Sequence, residues 1–207
     1  LGMALIAFGL IMLQPDFGTG TIIVMSIMGI LFISGKMSFK FIFKMIIVGV
    51  LGVVGLILIA PYRLARILSF LNPWSDPLGS GFQIIQSLYA LGPGGLLGQG
   101  INGSIQIHYY LPEPQTDFIF AIYAEDFGFI GSVILIFLYT FLIKNMLEKA
   151  VNEKSIFKAY LDIGIASLII IQVCINLCVV VGLIPVTGIT LPFLSYGGSY
   201  ALCLTIA

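Results

Sequence analysis

The chain has 207 residues, of which 59% are hydrophobic and 9% are charged, and its formal net charge is zero. Soluble domains carry roughly 25% charged residues, so a water-soluble fold of this size could not keep so much apolar surface away from water. A bilayer is a solvent for such a surface. The zero net charge argues against nucleic acid as a partner.

Apolar runs along the chain predict helices that span a membrane. Four complete runs are bounded by polar or Pro/Gly-rich segments, at 18–35, 41–60, 127–143 and 159–184. Partial runs at 1–13 and 199–207 begin and end the sequence, so we expect this chain to be the C-terminal portion of a longer protein. The predicted fold class is all-α, a polytopic transmembrane helical bundle that forms a single domain over 1–207.

The distribution of lysines predicts how these helices are oriented. Seven lysines fall in two connections, 36–44 and 144–158, and two predicted spans lie between the connections. Both connections therefore lie on one side of the membrane, and the positive-inside rule makes that side the cytoplasm. The short connections 14–17 and 185–198 then face outward, as does the long segment 61–117.

The extracytoplasmic loop 61–117 is too long for a plain connection, and two of its parts show helical spacing of apolar residues. The first begins at Pro61 and has Leu64, Ile67, Leu68 and Leu71 on one face. The second runs over 83–91 and has Ile84, Ile85, Leu88 and Leu91 on one face. We expect short interfacial or re-entrant helices here, with Trp74 as an anchor at the membrane surface.

Acidic residues that adjoin the outer ends of spans are candidates for a functional site. These residues are Asp16, Asp117, Glu125 and Asp126. An ionisable group entering hydrocarbon costs roughly 2.5–3.5 kcal/mol on insertion scales and usually marks function. From its position alone, Asp117 suits a catalytic base and a helix N-cap equally, because Thr116-Asp117 precedes an apolar run.

Basic and metal-ligating side chains leave several interpretations open. Arg63 and Arg66 either extend to lipid phosphates or attract the pyrophosphate of a lipid-linked substrate. The sole histidine, His108, lies in an aromatic cluster and is more typical of a hydrogen-bonded structural residue than of a base. Cys174 and Cys178 are one helical turn apart, but thiols within apolar runs are more often packing residues than metal ligands.

Five motifs resemble the family of shape, elongation, division and sporulation (SEDS) proteins that polymerise peptidoglycan. They are 14–19 (QPDFGT), 76–83 (DPLGSGFQ), 111–121 (LPEPQTDFIFA) continued by 125–131 (EDFGFIG), 185–188 (PVTG) and 191–199 (LPFLSYGGS). The motifs follow the family's order and lie on one predicted face, and the resemblance covers essentially the whole chain. Within the family, the run 72–126 is most similar to the FtsW and SpoVE branch, and RodA is next.

The resemblance implies a peptidoglycan glycosyltransferase that polymerises lipid II during cell division, sporulation or elongation. It implies a multi-pass protein of the bacterial cytoplasmic membrane with its active site facing outward. The implied catalytic base is Asp117, and the implied reaction inverts the anomeric carbon. A divalent cation, Mg²⁺ or Mn²⁺, or cationic side chains would offset the charge of the leaving group. The implied partners are lipid II, a class B penicillin-binding protein and other division or elongation membrane proteins.

The resemblance also implies substrate-binding or supporting roles for six residues: Asp16, Arg63, Arg66, Glu125, Ser195 and Tyr196. Asp16 also suits a turn and helix cap, and Glu125 suits an orienting role for its helix or for a partner. Ser195 and Tyr196 suit either hydrogen bonds to the substrate or the cap of a re-entrant turn. The sequence does not indicate the ligands of a metal.

The chain departs from the family pattern in two places. Ile105 and Ile107 stand where basic residues are common in the family, and Gln115 and Asp126 replace the commoner His and Glu.

Two other functions remain open, a flippase or transporter for the lipid-linked precursor and a scaffold that binds a transpeptidase without doing chemistry. Polar residues cluster at the outer boundary of the spans rather than at their centres, which favours surface chemistry.

Overall fold

A computed structural model describes residues 2–12, 17–35, 38–59, 67–100, 103 and 115–206 of the chain. Throughout these ranges the regular structure is helical and no strand occurs, which confirms the predicted all-α class. The α-helices are α1 (Gly2–Met12), α2 (Phe17–Ile33), α3 (Phe39–Ile59), α4 (Phe82–Gly94), α5 (Ile119–Asn152), α6 (Ile156–Val180) and α7 (Gly198–Ile206). Residues 67–71 are also helical, and a 3-10 turn follows at Pro73–Ser75.

Each predicted span overlaps one of these helices. The ends of α2 and α3 lie within two residues of the predicted 18–35 and 41–60. Within the described ranges, α5 and α6 are long and apolar enough to cross a membrane, and α2 is a shorter apolar helix. On the exposed face of α5, large apolar side chains such as Phe129, Phe137 and Phe141 point away from the bundle. Lipid tails would cover such a face in a membrane.

The predicted span 127–143 covers only part of α5, because α5 joins two helical segments at Gly128. Gly128 has φ 66° and ψ −164°, a combination that lies outside the helical region and that glycine adopts without a Cβ penalty. The first segment, 119–127, carries Glu125 and Asp126, whose charges interrupt the apolar pattern of the sequence. The second segment, 129–152, continues to the lysine-rich connection.

A loop over residues 95–100 docks its backbone on both sides of this kink. Four backbone hydrogen bonds hold it: Gln99 N to Glu125 O at 3.0 Å, Gly100 N to Asp126 O at 3.0 Å, Phe129 N to Gly95 O at 2.9 Å and Ile130 N to Leu96 O at 3.1 Å. Gly98 makes this approach possible, because its φ is 79° and a Cβ there would collide with the backbone oxygen of Asp126. The kink at Gly128 is therefore held by backbone pairing.

The second predicted helix of the outer loop is α4, which extends through Pro93 to Gly94. It packs against α5 and α6, with Ile84, Ile85 and Ala90 buried in that contact. The buried Ser87 hydroxyl donates a 2.8 Å hydrogen bond to Val180 O at the end of α6. Carbonyls in the last turn of a helix lack partners within the helix, so α4 caps the C-terminal end of α6.

Small residues allow α2 and α6 to approach closely. A Cβ on Gly164 would lie 2.8 Å from Cδ1 of Ile30, and one on Gly29 would lie 3.9 Å from the Ser167 Cβ. Interfaces between membrane helices are rich in such small residues, because close backbone approach increases van der Waals contact. α2 is thereby fixed beside α6, and its first turn lies near the segment that follows α6.

Candidate functional site

Asp117 lies in the turn 115–118, which leads into α5, and its side chain is half-buried. The N-cap position of α5 is occupied by Phe118, one residue later than the cap interpretation of Asp117 places it. Phe118 is almost completely buried and belongs to the hydrophobic core. The core therefore anchors the chain at the residue directly after Asp117.

The backbone that carries Asp117 is held at three consecutive carbonyl groups. All three donors come from α6 or from the segment that follows it. They are Tyr196 N to Gln115 O at 2.8 Å, Ser195 Oγ to Thr116 O at 2.6 Å and Asn176 Nδ2 to Asp117 O at 2.7 Å. These carbonyls precede the helical ladder of α5, so the three bonds fix the position of the turn that carries Asp117.

Ser195 uses its hydroxyl entirely for bonds to backbone. It accepts a 2.7 Å hydrogen bond from Leu191 N and donates its proton to Thr116 O. A hydroxyl has one proton to donate, so the geometry supports the turn-cap interpretation of Ser195 over a direct donor to substrate. The neighbouring Tyr196 has a largely exposed side chain, which leaves its phenol available at the surface.

The turn that ends at Ser195 is also held to α5 by a hydrogen bond. The Tyr139 hydroxyl donates a hydrogen bond to Pro192 O. Phe193 has φ 64°, a left-handed conformation that costs a residue with a side chain about 1–2 kcal/mol. Such a conformation persists only where its surroundings fix it. Contacts from Tyr139, Ser195 and Thr116 fix it here.

Asn176 joins Asp117 to the segment 185–190. Its side chain is 1% exposed within α6, and its Nδ2 donates to Asp117 O and to Ile189 O, each at 2.7 Å. Sequence analysis places Asn176 inside an apolar span and gives it no role in the site. Its partners are 59 and 13 residues away in the chain, so no local pattern indicates these contacts.

Gly188 faces the carboxylate of Asp117. A Cβ at Gly188, where φ is 74°, would lie 3.7 Å from Asp117 Oδ2, and no other described heavy atom outside its chain neighbours lies within 4 Å of it. Among the described residues, the space where a Gly188 side chain would stand is therefore left open, and the carboxylate borders it. Thr187 Oγ1 and Asn176 Oδ1 are buried nearby along these contacts and have no hydrogen-bond partner among the described residues.

The first turn of α2 borders the same segment. A Cβ on the buried Gly18 would lie 2.7 Å from Thr187 O, so only glycine allows this approach. The helix begins at Phe17, directly after Asp16. Asp16 itself lies outside the described residues, as do Arg63, Arg66 and His108.

Glu125 is buried in the first segment of α5, 119–127, at 1% exposure. It lies eight residues after Asp117, which corresponds to about 12 Å along a helix. Its backbone oxygen accepts the bond from Gln99. Burial beside the 95–100 loop supports an orienting role for Glu125 rather than contact with the reacting groups.

No metal site is formed by side chains in the described part of the chain, where no three His, Cys, Asp or Glu come together. Cys174 is an exposed free thiol and Cys178 a partly buried one. Mg²⁺ is commonly held by one or two carboxylates together with substrate phosphates. Among the described residues, Asp117 would supply one carboxylate to such a cation, and phosphate oxygens of a substrate would supply further ligands.

Comparison with known proteins identifies the family. The family model for FtsW, RodA and SpoVE, described as cell cycle protein, matches residues 1–207. This chain belongs to that family. Stage V sporulation protein E of Bacillus subtilis is 55% identical over 199 residues, which is 96% of this chain and 54% of that protein. A probable peptidoglycan glycosyltransferase FtsW of Coxiella burnetii is 44% identical over 96% of this chain and 54% of its own length.

Solved structures of FtsW/RodA/SpoVE-like architecture share the fold. A chain of a peptidoglycan synthase complex that coordinates polymerization and crosslinking matches with a TM-score of 0.76 and 32% identity, over 97% of this chain and 56% of that one. An aspartate-to-alanine variant of Thermus thermophilus RodA matches with a TM-score of 0.62 and 25% identity, over 97% and 50%. The chain thus spans about half the length of the relatives it matches. It is an integral membrane protein, and the predicted helical bundle fold is confirmed.

Proposed function

We propose that this chain carries the outer catalytic face of a peptidoglycan glycosyltransferase that polymerises lipid II, with Asp117 as general base. The observation that carries the proposal is the position of Asp117. Its backbone is fastened at three consecutive carbonyls, while its carboxylate borders open space at Gly188. The relative named as a probable peptidoglycan glycosyltransferase and the matching peptidoglycan synthase complex support the reaction class.

In the proposed reaction, the carboxylate of Asp117 accepts the proton of the acceptor sugar's 4-hydroxyl group. The acceptor oxygen forms a bond to the anomeric carbon of the donor as the bond from that carbon to the pyrophosphate oxygen breaks. The electron pair of the broken bond leaves with the polyprenyl pyrophosphate. One positioned base is sufficient for a direct displacement that inverts the anomeric carbon.

Charge develops on the departing pyrophosphate, and positive groups near it would lower the barrier. We assign this role to Arg63 and Arg66, or to a divalent cation, Mg²⁺ or Mn²⁺. Arginine suits phosphate because its planar guanidinium donates two parallel hydrogen bonds.

The proposed location of the chemistry is the outer face of the bacterial cytoplasmic membrane. The lysines of 144–158 lie at the opposite end of α5 from Asp117, as the positive-inside rule requires for an outward site. A class B penicillin-binding protein is the proposed partner. The solved relative that coordinates polymerization with crosslinking supports this choice, because crosslinking is a transpeptidase reaction.

A flippase needs polar groups near the midplane of the membrane, and Gln172 and Asn176 are polar residues within a predicted span. Gln172 and Asn176 are both buried, and the Asn176 amide is occupied by two backbone carbonyls. These contacts belong to the wall of the Asp117 site rather than to a path through the bundle. The described residues therefore provide no specific observation that favours transport.

The test compares full-length wild-type protein with its Asp117→Asn variant on purified lipid II in detergent, with glycan products separated on a gel. Asn keeps the size of the side chain but cannot accept the proton, so we expect a loss of about 10²–10⁴-fold in rate. Asp162→Asn is the matched control. It removes a carboxylate that lies 3.6 Å from Lys149 near the opposite end of the bundle, and should polymerise at the wild-type rate.

The outcomes separate the parts of the proposal. If the wild-type protein makes no polymer, the glycosyltransferase assignment fails. If wild-type protein polymerises and Asp117→Asn keeps pace with it, the reaction stands and the role of Asp117 fails. Chelation by EDTA, followed by Mg²⁺ or Mn²⁺, tests the cation in the same assay, and full activity in EDTA would remove it from the proposal.

A further inference from the structure

We propose that Asn176 is a positioning residue for Asp117: its buried amide ties the backbone of the base to the segment 185–190 and thereby sets where the carboxylate stands. This inference rests on the proposed function. It assigns to α6, which carries no candidate catalytic side chain, a direct part in the geometry of the reaction.

The hydrogen bonds of Asn176 define its orientation. The two acceptors, Asp117 O and Ile189 O, are carbonyl oxygens and both lie 2.7 Å from Nδ2. A primary amide nitrogen has two protons, so both are used. A flipped amide would place its oxygen against two carbonyl oxygens, which excludes that orientation. The nitrogen is thus held by the start of α5 on one side and by the Gly188 segment on the other.

The remaining polar atom of Asn176 reduces what the residue contributes to stability. Its Oδ1 is buried without a partner among the described residues. An unpaired buried acceptor costs about as much as one or two ordinary hydrogen bonds contribute. The unpaired oxygen therefore offsets much of what the two bonds contribute. An apolar side chain would leave Asp117 O and Ile189 O without this donor, so the test separates an effect on kcat from a loss of stability.

The position of the amide matters because it controls both walls of the open space. Asp117 provides the carboxylate wall, and Ile189 follows Gly188, whose missing side chain leaves the space beside Oδ2. The carboxylate is only two rotatable bonds from the backbone that Asn176 holds. A misplacement of 1 Å at a reacting group can reduce a rate by about 10²-fold, so release of this backbone should affect the chemical step.

The test uses Asn176→Leu and Asn176→Ala in the full-length polymerase, with kcat and KM for lipid II measured on the monodisperse fraction. We expect kcat to fall by about 10–100-fold while KM stays within about twofold, because the contact acts on the base rather than on substrate binding. Asn176→Ala serves where the larger Leu side chain fails to pack. Ser87→Ala is the control, since it removes an equally buried bond to backbone at the outer end of the same helix, and should leave kcat unchanged.

A double-variant comparison shows whether Asn176 acts through Asp117. In a background of Asp117→Glu, which keeps a carboxylate but displaces it, Asn176→Ala should cause a further loss of less than about threefold. An undiminished loss in that background would overturn the inference, as would wild-type kcat in both single variants, or a rise in KM at constant kcat. A wild-type protein that makes no polymer would instead contradict the underlying function.

Discussion

Gly98→Ala should destabilise the protein more than the small size of the added methyl group suggests, because Gly98 is the point of closest approach between the 95–100 loop and α5. Two costs add. A left-handed φ of 79° costs alanine about 1–2 kcal/mol. The new Cβ would also collide with Asp126 O, a backbone atom that cannot rotate away.

The second cost follows from the hydrogen bonds that the displaced loop would lose. The nearest ones are Gln99 N to Glu125 O and Gly100 N to Asp126 O. At about 0.5–1.5 kcal/mol for each bond, their loss adds roughly 1–3 kcal/mol. The expected total for Gly98→Ala is therefore about 2–5 kcal/mol of unfolding free energy.

Gly100→Ala is the matched control for this prediction. Gly100 has φ 92°, so alanine there meets a comparable backbone penalty, but no described heavy atom lies within 4 Å of its Cβ position. The two variants should differ by the cost of the collision alone, about 1–3 kcal/mol. Unfolding of the full-length proteins in mixed micelles, followed by intrinsic fluorescence, measures the difference. Equal stability of the two variants would refute the reasoning.

Two further predictions concern orientation and the leaving group. With the native cysteines replaced, Ser75→Cys should react with an impermeant thiol reagent in intact cells and Asn152→Cys should not, because the lysine-rich connection is expected in the cytoplasm; the reverse labelling would invert the topology. Replacing Arg63 and Arg66 together by Gln should reduce turnover at limiting lipid II more than it lowers thermal stability, and unchanged turnover would leave them only a contact with lipid phosphates.

The positions of the helices could be predicted because long apolar runs indicate where a chain can enter a membrane. The packed face of each helix could not be predicted, because a run that is apolar on all sides does not indicate which side contacts its neighbours. Gly164 and Gly29 illustrate this limit. Both glycines lie where α2 and α6 approach each other closely, and nothing in either apolar run alone indicates that the other helix is its neighbour.

The beginning of α5 shows how a helix can extend beyond a predicted span. Glu125 and Asp126 interrupt the apolar pattern, so the sequence predicts a span that starts at 127. In the structure the helix begins at Ile119. Glu125 is buried beside the 95–100 loop, a contact between residues more than twenty positions apart. Local patterns place a charge at the surface by default, and tertiary contacts override that default here.

The candidate site also has residues that could be predicted from the sequence and contacts that could not. Asp117 was found because it stands in a family motif at the edge of a span, and Ser195 because it stands in another. The contact of Ser195 with Thr116 and the link from Asn176 to Asp117 join residues 79 and 59 positions apart. Such pairings depend on how the bundle closes. Only the assembled fold shows that they converge on one turn.

The kink at Gly128 has a consequence for how this protein tolerates its membrane. Below it, residues 129–152 rise about 36 Å, more than the roughly 30 Å of a hydrocarbon core, so tilting can adjust this segment to a thicker or thinner bilayer. Above it, residues 119–127 are held to the 95–100 loop and to the turn that carries Asp117. The start of the lower segment is held too, by the bonds of Phe129 and Ile130 to the 95–100 loop and by the bond from Tyr139 to Pro192 O. Differences in bilayer thickness can therefore be absorbed at the lysine-rich end of α5, after Tyr139, and the geometry around Asp117 can stay the same in membranes of different lipid composition.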